Sequence, residues 1–441
     1  MTAGLAQLSE IACRHEASRP HLSISGRVLE VSPSLLHLAG LSPFAQVGDL
    51  VAVDPGTASE IAEIVQIGTD ATLAVPYRRP DHIRLGARAT LIGRPCLRPD
   101  MSWLGRVIDP LGTPLDGDGP LISGNVALAL DRDPPAALDR NRVQAPLKTG
   151  IRAIDVFTPL CLGQRIGIFA GSGVGKSTLL AMLSDVPDVT AVVLALVGER
   201  GREVREFLED VLGSRRHRLV AIVSTGDDNP AMRRIAPKAA LTVAEFLRDR
   251  GERVLLLVDS LTRFAHAQRE TALAAGEPPV ARGYPPSVFS ELARLVERAG
   301  PGPVGSGDIT MVATVLVDGD DHNDPVADAA RGLLDGHIVL DRKIAAGGRW
   351  PAIDFLASLS RLSDKSWNAR ERSIAEAAKA LVARFEDTRD LRLIGGYQPG
   401  TDAELDKAVA LVPRIYALIG QRLGERLETD VFAELAGLIK I

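Results

Sequence analysis

Cysteine is scarce in this chain, and its placement excludes two classes of protein. Only Cys13, Cys96 and Cys161 occur among 441 residues. An odd, scattered set with no C-x-x-C pair predicts neither a disulfide framework nor a cysteine metal site, and it is typical of a reducing cytoplasm. The first 20 residues include Glu10 and Arg14 but no continuous apolar segment, so we expect no secretory signal.

Long apolar runs, aromatic residues and an excess of positive charge are also lacking. The longest apolar runs, such as Ala191–Val197, have the length of a strand and fall far short of a membrane span. Aromatic residues make up 4% of the chain and the formal net charge is −5, which argues against a nucleic-acid partner, because neutralising phosphates requires a basic face. We therefore expect a cytoplasmic protein whose membrane contact is peripheral.

Apolar residues are abundant, at 46% of the chain, and their spacing predicts the fold class. Between residues 147 and 365, continuous apolar runs alternate with helical segments, which predicts a mostly parallel sheet covered on both faces. The predicted strands are Arg165–Ala170, Ala191–Val197, Leu219–Ser224, Val254–Asp259, Ile309–Val317 and His337–Leu340. The fold class is thus α/β, with the sheet-containing domain at 147–365.

The segments before this domain have other patterns. Residues 22–95 contain short β-like runs broken by turn residues, which indicate a small β-barrel or sandwich. Residues 96–146 are loop-rich and proline-rich in their later part, which predicts a linker into the central domain. Residues 1–21 form an N-terminal extension whose amphipathic helix, at 2–16, either packs on its own domain or docks on a partner or a membrane surface.

The last segment, residues 366–441, lacks strand patterns and predicts a C-terminal helical domain. Its helices follow a period of 3.6 residues. Thr401 and Glu404 are predicted to form the capping box of a helix that runs towards Gln421.

The segment 168–178, IFAGSGVGKST, lies between a predicted strand and a predicted helix and fits the phosphate-loop pattern except for Ala170 in place of the first glycine. Alanine is compatible there with an ordinary strand φ. The glycines let backbone N–H groups form an anion-binding nest, Lys176 would contact the β- and γ-phosphates, and Ser177 would be a Mg²⁺ ligand. The alternative is a glycine-rich turn with an exposed lysine. The predicted nucleotide-binding residues of this loop are Ala170, Gly171, Ser172, Gly173, Val174, Gly175, Lys176, Ser177 and Thr178.

Two further predicted strands lead directly into acidic residues. VLLLVDS includes Asp259, which predicts the carboxylate that holds Mg²⁺ through water, with a helix N-cap as the alternative. LALVGER places Glu199 on the sheet edge that carries the phosphate loop, where it would polarise the attacking water, while Arg200 would reach the γ-phosphate. A charged, solvated start of a helix is the alternative for Glu199 and Arg200.

Several motifs, in one order, resemble the rotary ATPase family over residues 22–441. They are PLKTGIRAIDVFTPLCLGQRIGIFAGSGVGKST, LVGERGREVREF, DSLTRFAHAQRE, GEPPVARGYPPSVF, DGDDHNDPVADAARGLLDGHIVLDR and WPAIDFLASLSR. Within the family, the chain is most similar to the flagellar protein-export branch and next to the virulence type III secretion branch. The variant AGSGVGKS resembles the export branch rather than the GGAGVGKT of the synthase catalytic subunit.

The resemblance implies a RecA-like P-loop fold for residues 147–365 and roles for individual residues. Glu199 matches the family's catalytic glutamate, Arg200 matches an arginine near the γ-phosphate, and Asp259 matches the Walker B acid. Lys176 is the phosphate-loop lysine and is counted with the catalytic residues.

Two residues near the end of the central domain also match the family. Arg361, which closes SLSR, matches the arginine that reaches into the neighbouring subunit's site; the alternative is an ion pair with a local acid such as Asp364. Trp350 stands where the family places an aromatic residue against adenine; the alternative is a core aromatic residue.

The family resemblance also implies a function and a set of partners. It implies a Mg²⁺-dependent ATPase that forms a homohexameric ring and energises or primes the export of flagellar proteins through a type III secretion apparatus at the inner membrane. The implied partners are a stator-like regulator bound through the N-terminal helix, a central stalk protein, the export gate, and export substrates or their chaperones. A virulence secretion ATPase and a non-catalytic rotary ATPase subunit are the alternatives, while the acidic balance disfavours an RNA translocase.

Overall fold

A computed structural model describes residues 23–54, 60–143, 145–317, 324–425 and 429–440. The helix predicted at residues 2–16 lies outside these ranges. The chain divides into two compact units: the first is the described part of residues 1–95 together with residues 274–276, and the second is the remainder.

The first unit is a closed barrel of six antiparallel strands. The strands are β1 (Ser25–Val31), β2 (Leu36–Ala39), β3 (Leu50–Asp54), β4 (Glu60–Ile67), β5 (Thr72–Pro76) and β6 (Arg88–Gly93), in the order β1-β2-β5-β4-β3-β6. Alternate residues such as Leu36 and Leu38, or Val51 and Val53, are fully buried inside it. The alternation arises because successive strand side chains point to opposite faces. The predicted barrel is confirmed.

The second unit is built on a sheet whose strands lie in the middle of the chain. The strands of this unit are β7 (Cys96–Leu97), β8 (Val107–Ile108), β9 (Leu128–Ala129), β10 (Pro146–Leu147), β11 (Leu160–Cys161), β12 (Arg165–Ala170), β13 (Ala191–Glu199), β14 (Leu219–Thr225), β15 (Arg253–Asp259), β16 (Gly300–Pro301), β17 (Asp308–Leu316), β18 (Gly336–Leu340) and β19 (Ile353–Ser360). The main sheet runs β19-β18-β12-β17-β15-β13-β14-β8, with β16 paired to β17. All of its pairings are parallel except β18 with β19 and β16 with β17.

The interior of this sheet is covered on both faces. Every residue of β13 is buried, which requires packing against both sides because its side chains alternate between them. Ile168 of β12 and Leu194 of β13 belong to one core cluster with Leu180. The predicted α/β class with a mostly parallel sheet is confirmed.

Helices connect and cover these strands. The α-helices are α1 (Arg152–Phe157), α2 (Lys176–Leu183), α3 (Gly201–Glu206), α4 (Pro230–Arg248), α5 (Leu261–Ala274), α6 (Pro286–Glu297), α7 (Pro325–Leu333), α8 (Arg342–Ala346), α9 (Ser363–Ser366), α10 (Ala369–Asp387), α11 (Arg389–Leu393), α12 (Ala403–Ile419) and α13 (Val431–Ile439). A π-helical turn at Phe207–Leu212 and 3₁₀ turns at Met101–Trp103 and Gly213–Arg218 complete the list. No helix in the ranges described above has the length and apolar character needed to cross a membrane.

The C-terminal helices form the predicted helical region, and no strand follows Ser360 in the described part of the chain. The predicted cap at Thr401 is wrong. Helix α12 is capped by Asp402, whose carboxylate accepts hydrogen bonds from the N–H groups of Glu404 and Leu405, both at 3.0 Å. The Thr401 hydroxyl instead donates to the Gln398 carbonyl. An aspartate one position closer to the helix satisfies its free N–H groups better than a preceding threonine.

Three strands of the sheet were not predicted from the sequence: β8, β16 and β19. Strand β8, inside the segment predicted as a linker, pairs in parallel with β14. Strand β19 is an antiparallel edge strand that precedes Arg361 directly. The domain boundaries at 21, 95, 146 and 365 stay predictions.

Candidate active site

The phosphate-loop segment lies between β12 and α2, at the carboxyl end of the parallel sheet. Gly173 and Gly175 have φ values of 76° and 87°, a region that glycine occupies without steric cost. Ala170 ends β12, where it pairs with β17 and β18, and it is not among the residues with positive φ. Alanine at this position is therefore compatible with the loop.

Lys176, the first residue of α2, lies between two carboxylates. Its Nζ is 2.6 Å from Asp259 Oδ1 and 3.4 Å from Glu199 Oε1. Glu199 ends β13 and Asp259 ends β15. The two carboxylates lie close together because these strands are parallel neighbours, with Leu196 of β13 in register with Asp259. The Thr314 hydroxyl also donates to Asp259 Oδ1 at 2.7 Å. The structure thus brings together three of the residues predicted to act on the phosphates.

Arg263 is a fourth member of this cluster that the sequence analysis missed. Its Nη2 lies 3.4 Å from Glu199 Oε2. Arg263 lies in the first turn of α5, four residues after Asp259, so the helix that follows β15 brings a second cation back to the strand ends. The basic residue in DSLTRF was the available signal, because a helix after a strand of this sheet begins at the same edge.

These four residues carry two negative and two positive charges, and burial has the largest effect on the pKa of one of them, Glu199. Burial raises the pKa of Glu199; the nearby positive charges of Lys176 and Arg263 oppose this effect, and the negative charge of Asp259 reinforces it. Two carboxylates and two cations therefore form a compact ionic cluster beside the phosphate loop.

A cavity of about 880 Å³ opens over this cluster. The predicted residues in its wall are Ala170, Gly171, Ser172, Gly173, Gly175, Lys176, Ser177, Thr178, Glu199, Arg200 and Trp350. Val174 and Asp259 are both buried, and neither contributes to the wall. A cavity of this size holds a ligand of a few hundred daltons.

Trp350 lies directly against the phosphate loop. A Cβ atom built on Gly175 would come within 2.6 Å of Trp350 Cζ3, so only glycine leaves room for the indole ring. Trp350 remains 38% exposed, and one part of the ring faces the cavity.

Gln421, Arg422 and Leu423, which follow α12, line the same cavity and were missed by sequence reasoning. No local pattern could have indicated them, because they reach the site only through tertiary packing.

The two remaining predicted residues differ in their placement. Arg200 lines the cavity, but its side chain is 82% exposed and its Nη1 lies 3.2 Å from Glu203. Arg361 does not line the cavity; its Nη2 donates to the Arg331 carbonyl at 3.2 Å. The acid proposed as its alternative partner, Asp364, pairs with Arg372. Within one chain, the structure therefore does not bring Arg361 to the other predicted residues.

A strand, a glycine loop and a helix, with a lysine held by two acids from neighbouring strand ends, define a P-loop nucleotide-binding protein. The nucleotide-binding domain of the ATP synthase alpha/beta family matches residues 150–360, and the T3SS EscN ATPase C-terminal domain matches residues 367–436. These two matches cover the sheet except β8, and the C-terminal helices up to the middle of α13.

Relatives match the chain along almost its whole length. A flagellum-specific ATP synthase from Agrobacterium fabrum is 51% identical over 99% of this chain and 92% of its own. The SPI-2 type 3 secretion system ATPase of Salmonella typhimurium is 45% identical over 93% of both chains. The assembled ATPase EscN of enteropathogenic Escherichia coli has a TM-score of 0.87 and 37% identity, covering 94% of this chain and 100% of its own.

The chain belongs to the ATP synthase alpha/beta family, within the branch that contains flagellum-specific and type 3 secretion ATPases. The resemblance seen in its motifs is confirmed, and so is the prediction of an ATPase.

Proposed function

We propose that this chain is a Mg²⁺-dependent ATPase that works as a homohexameric ring and energises or primes the export of flagellar proteins. The observation that carries the proposal is the position of Lys176, held between Glu199 and Asp259 beside a glycine loop. Lysine at the start of a helix, where backbone N–H groups are free, binds phosphate oxygens. The loop residues 170–178 then hold the phosphates, and Trp350 contacts the adenine ring.

The charge balance of the cluster supports a metal complex of ATP as the ligand. Two acids and two cations cancel, so the cluster offers no surplus positive charge to a polyphosphate. Mg²⁺ supplies that charge when bound and polarises the phosphoryl oxygens. The Ser177 hydroxyl and the Asp259 carboxylate fit it, because Mg²⁺ prefers hard oxygen donors and keeps several waters. Asp259 would hold the ion through one of those waters.

Glu199 orients the water that attacks the γ-phosphate. Its carboxylate lies at the end of β13 with one oxygen near Lys176 and the other near Arg263. Two cations on opposite oxygens fix the plane of the carboxylate, and a fixed acceptor is what a water-positioning residue provides. Arg200 lies on the cavity wall with an exposed side chain, and it reaches the γ-phosphate by exchanging its surface ion pair with Glu203.

Arg361 acts on the site of a neighbouring subunit. Its place at the end of edge strand β19, outside its own cavity, supports a role in trans. The structures of EscN are described as assembled, and one as a complex with its central stalk EscO. By analogy we infer a ring of this chain around a central stalk protein, with a stator-like regulator at the N-terminal helix, and with the export gate, substrates and chaperones as further partners. The ring would be cytoplasmic and peripheral to the inner membrane.

The flagellar system is favoured over a virulence system. Flagellum-specific relatives reach 51% and 50% identity, against 45% for the SPI-2 ATPase. The deciding experiment deletes the gene in its own organism and measures both motility with flagellin secretion and the secretion of virulence effectors. Loss of flagellin secretion, restored by the wild-type gene but not by Lys176→Ala, supports the proposal. Loss of effector secretion with normal motility contradicts it.

The proposed ATP hydrolysis is tested with purified protein. Wild type should hydrolyse ATP only with Mg²⁺, and chelation by EDTA should abolish turnover. Lys343→Ala, which removes an exposed lysine outside the nucleotide cavity, is the matched control for Lys176→Ala. Equal turnover in wild type and Lys176→Ala would contradict the assignment of this site.

A further inference from the structure

Gln421 is a buried glutamine that joins the C-terminal helices to the nucleotide site. It follows the end of α12 by two residues and is 7% exposed. Its Oε1 accepts a hydrogen bond from the Arg152 N–H at 3.1 Å, and its Nε2 donates to the carbonyls of Gly150 (2.9 Å) and Glu425 (3.1 Å). The side-chain amide therefore uses both its donor and its acceptor groups.

The backbone of the same residue holds Trp350. The Gln421 N–H donates to the Trp350 carbonyl at 2.8 Å. The Trp350 ring in turn lies against Gly175 of the phosphate loop. A continuous set of contacts thus runs from the side-chain anchor of Gln421 through Trp350 to the loop.

A second contact fixes the same region. Arg152 Nη1 donates to the Leu418 carbonyl, in the last turn of α12, at 2.7 Å. Arg152 begins α1 and Gly150 precedes it, so both anchors of Gln421 lie in the segment that enters the central domain. The end of α12 is therefore tied to that segment by hydrogen bonds from Gln421 and Arg152.

We propose that Gln421 is a positioning residue for nucleotide binding: it holds Trp350 over the phosphate loop and couples the end of α12 to the base-binding part of the cavity. The inference rests on the proposed function, in which Trp350 contacts adenine. Gln421 acts through Trp350 and not on the reacting phosphate, so it sets the affinity for the nucleotide and leaves the chemical step unchanged.

The chemistry of the site requires an amide at this position. Glutamate has the same shape as glutamine, but a carboxylate oxygen would replace Nε2 and face the carbonyls of Gly150 and Glu425. Alanine would remove all three side-chain hydrogen bonds and leave buried groups of Gly150 and Arg152 to find other partners. Both substitutions release the anchor while the backbone N–H to Trp350 is retained.

The test measures steady-state ATP hydrolysis and calorimetric ADP binding for Gln421→Glu and Gln421→Ala. We expect KM for ATP and Kd for ADP to rise about tenfold, which corresponds to about 1.4 kcal/mol, with kcat within about twofold of wild type. Acrylamide quenching of the emission assigned to Trp350, by comparison with Trp350→Phe, should increase in both variants. The matched control is Gln268→Ala, a glutamine buried to 8% exposure on α5, for which we expect unchanged constants.

A double-mutant cycle separates this role from a purely structural one. If Gln421 acts through Trp350, adding Gln421→Glu to Trp350→Ala should raise KM no further than Trp350→Ala alone. Additive effects overturn the proposal, and so does a fall in kcat at unchanged KM. If Gln421→Ala does not fold, the near-isosteric Gln421→Glu decides. The comparison of wild type with Lys176→Ala tests the proposed function separately. If hydrolysis depends on Lys176 while Gln421→Glu leaves KM unchanged, the role of Gln421 is rejected and the proposed function is retained.

Discussion

Lys176 Nζ and Asp259 Oδ1 lie 2.6 Å apart, at the start of helix α2 and the end of strand β15. Both side chains are largely buried, with 15% and 5% of their surface exposed. Burying a charge is costly unless an oppositely charged group lies beside it, and here Lys176 and Asp259 are each other's partner. The same contact places the ammonium group beside the glycine loop, where phosphate oxygens would bind.

Replacing Lys176 by methionine separates charge from shape. Lys176→Met keeps the apolar stem, removes the ammonium group and leaves Asp259 and Glu199 without their shared cation. We expect kcat for ATP hydrolysis to fall about 10²–10³-fold, the usual loss when one group that stabilises transition-state charge is removed. Single-turnover hydrolysis measures this loss. Lys343→Met is the control, and turnover in Lys176→Met within twofold of it would argue against a phosphate contact.

Glu199→Gln should strongly reduce hydrolysis and leave nucleotide binding intact. Glutamine keeps the shape of Glu199 but cannot act as the charged acceptor for the attacking water, so we expect kcat to fall about 10²–10⁴-fold. Calorimetric ADP binding should change little, because the loop and Lys176 remain. Loss of binding and hydrolysis together would instead assign Glu199 to the structure of the cavity.

The raised pKa of Glu199 predicts a pH dependence of stability. A carboxyl group whose folded pKa exceeds its unfolded pKa, about 4.3 for glutamate, contributes stability that is fully present below the unfolded pKa. That contribution is lost as pH rises through the folded pKa. Relative to wild type, the free energy of unfolding of Glu199→Gln should therefore increase from pH 4 towards neutrality. Urea unfolding at a series of pH values measures the difference, and a difference that is flat with pH contradicts a raised pKa.

Replacing Arg263 by glutamine should shift the acid limb of the profile of kcat against pH. Its guanidinium lowers the pKa of Glu199, against the larger effect of burial. Arg263→Gln removes that charge, so the pKa of Glu199 rises further and the pH at which kcat reaches half its maximum moves upward. Arg269→Gln, on the same helix but outside the cavity wall, is the control. A profile that keeps its midpoint in Arg263→Gln while kcat falls would assign Arg263 to direct phosphate contact.

The parts of the fold that could be predicted from the sequence are those encoded in continuous patterns. The strands β12, β13 and β15 are unbroken apolar runs, and their ends carry the residues that meet at Lys176. Strand β19 has an irregular alternation of buried and exposed residues, so no single period indicated it. Its burial depends on its position at the edge of the sheet, which local sequence does not specify.

The missed site residues share a physical reason. Gln421 and Leu423 reach the cavity across more than two hundred residues of sequence separation from the phosphate loop, through packing of α12. The predicted cap of α12 is one residue too early, because threonine and aspartate are both capping residues and sequence alone does not show which of the two accepts from the helix N–H groups. Sequence patterns identify chemistry that is local to one strand end, whereas contacts contributed by a distant helix require the tertiary structure.

The two described cysteines should differ strongly in reactivity. Cys96 is exposed, whereas burial raises the pKa of Cys161 to about 11. Because the thiolate is the nucleophile, we expect iodoacetamide at pH 8 to modify Cys161 at least about a hundredfold more slowly than Cys96. Peptide mass spectrometry measures both rates, and Cys96→Ser verifies the fast site. Equal rates in the native protein would show that the core around Cys161 opens readily.

Arg361→Ala tests whether a neighbouring subunit completes the site. Arg361 lies outside its own cavity, so a ring of Arg361→Ala subunits should lose about 10³–10⁵-fold in turnover if the residue acts in trans. Arg372→Ala, which removes a nearby partly exposed arginine paired with Asp364, should retain activity.

Mixed rings give the decisive result for Arg361. A Glu199→Gln subunit keeps Arg361, and an Arg361→Ala subunit keeps Glu199, so an interface between them can hold one intact site. Random mixing in equal amounts produces such interfaces at about one position in four, and we expect turnover to recover to about a quarter of wild type. Native mass spectrometry verifies that both subunits enter the same rings. If mixed rings form but stay inactive, Arg361 does not act across the interface. Such rings contain interfaces where an intact Glu199 meets an intact Arg361 of the neighbouring subunit, and these interfaces would then have no activity.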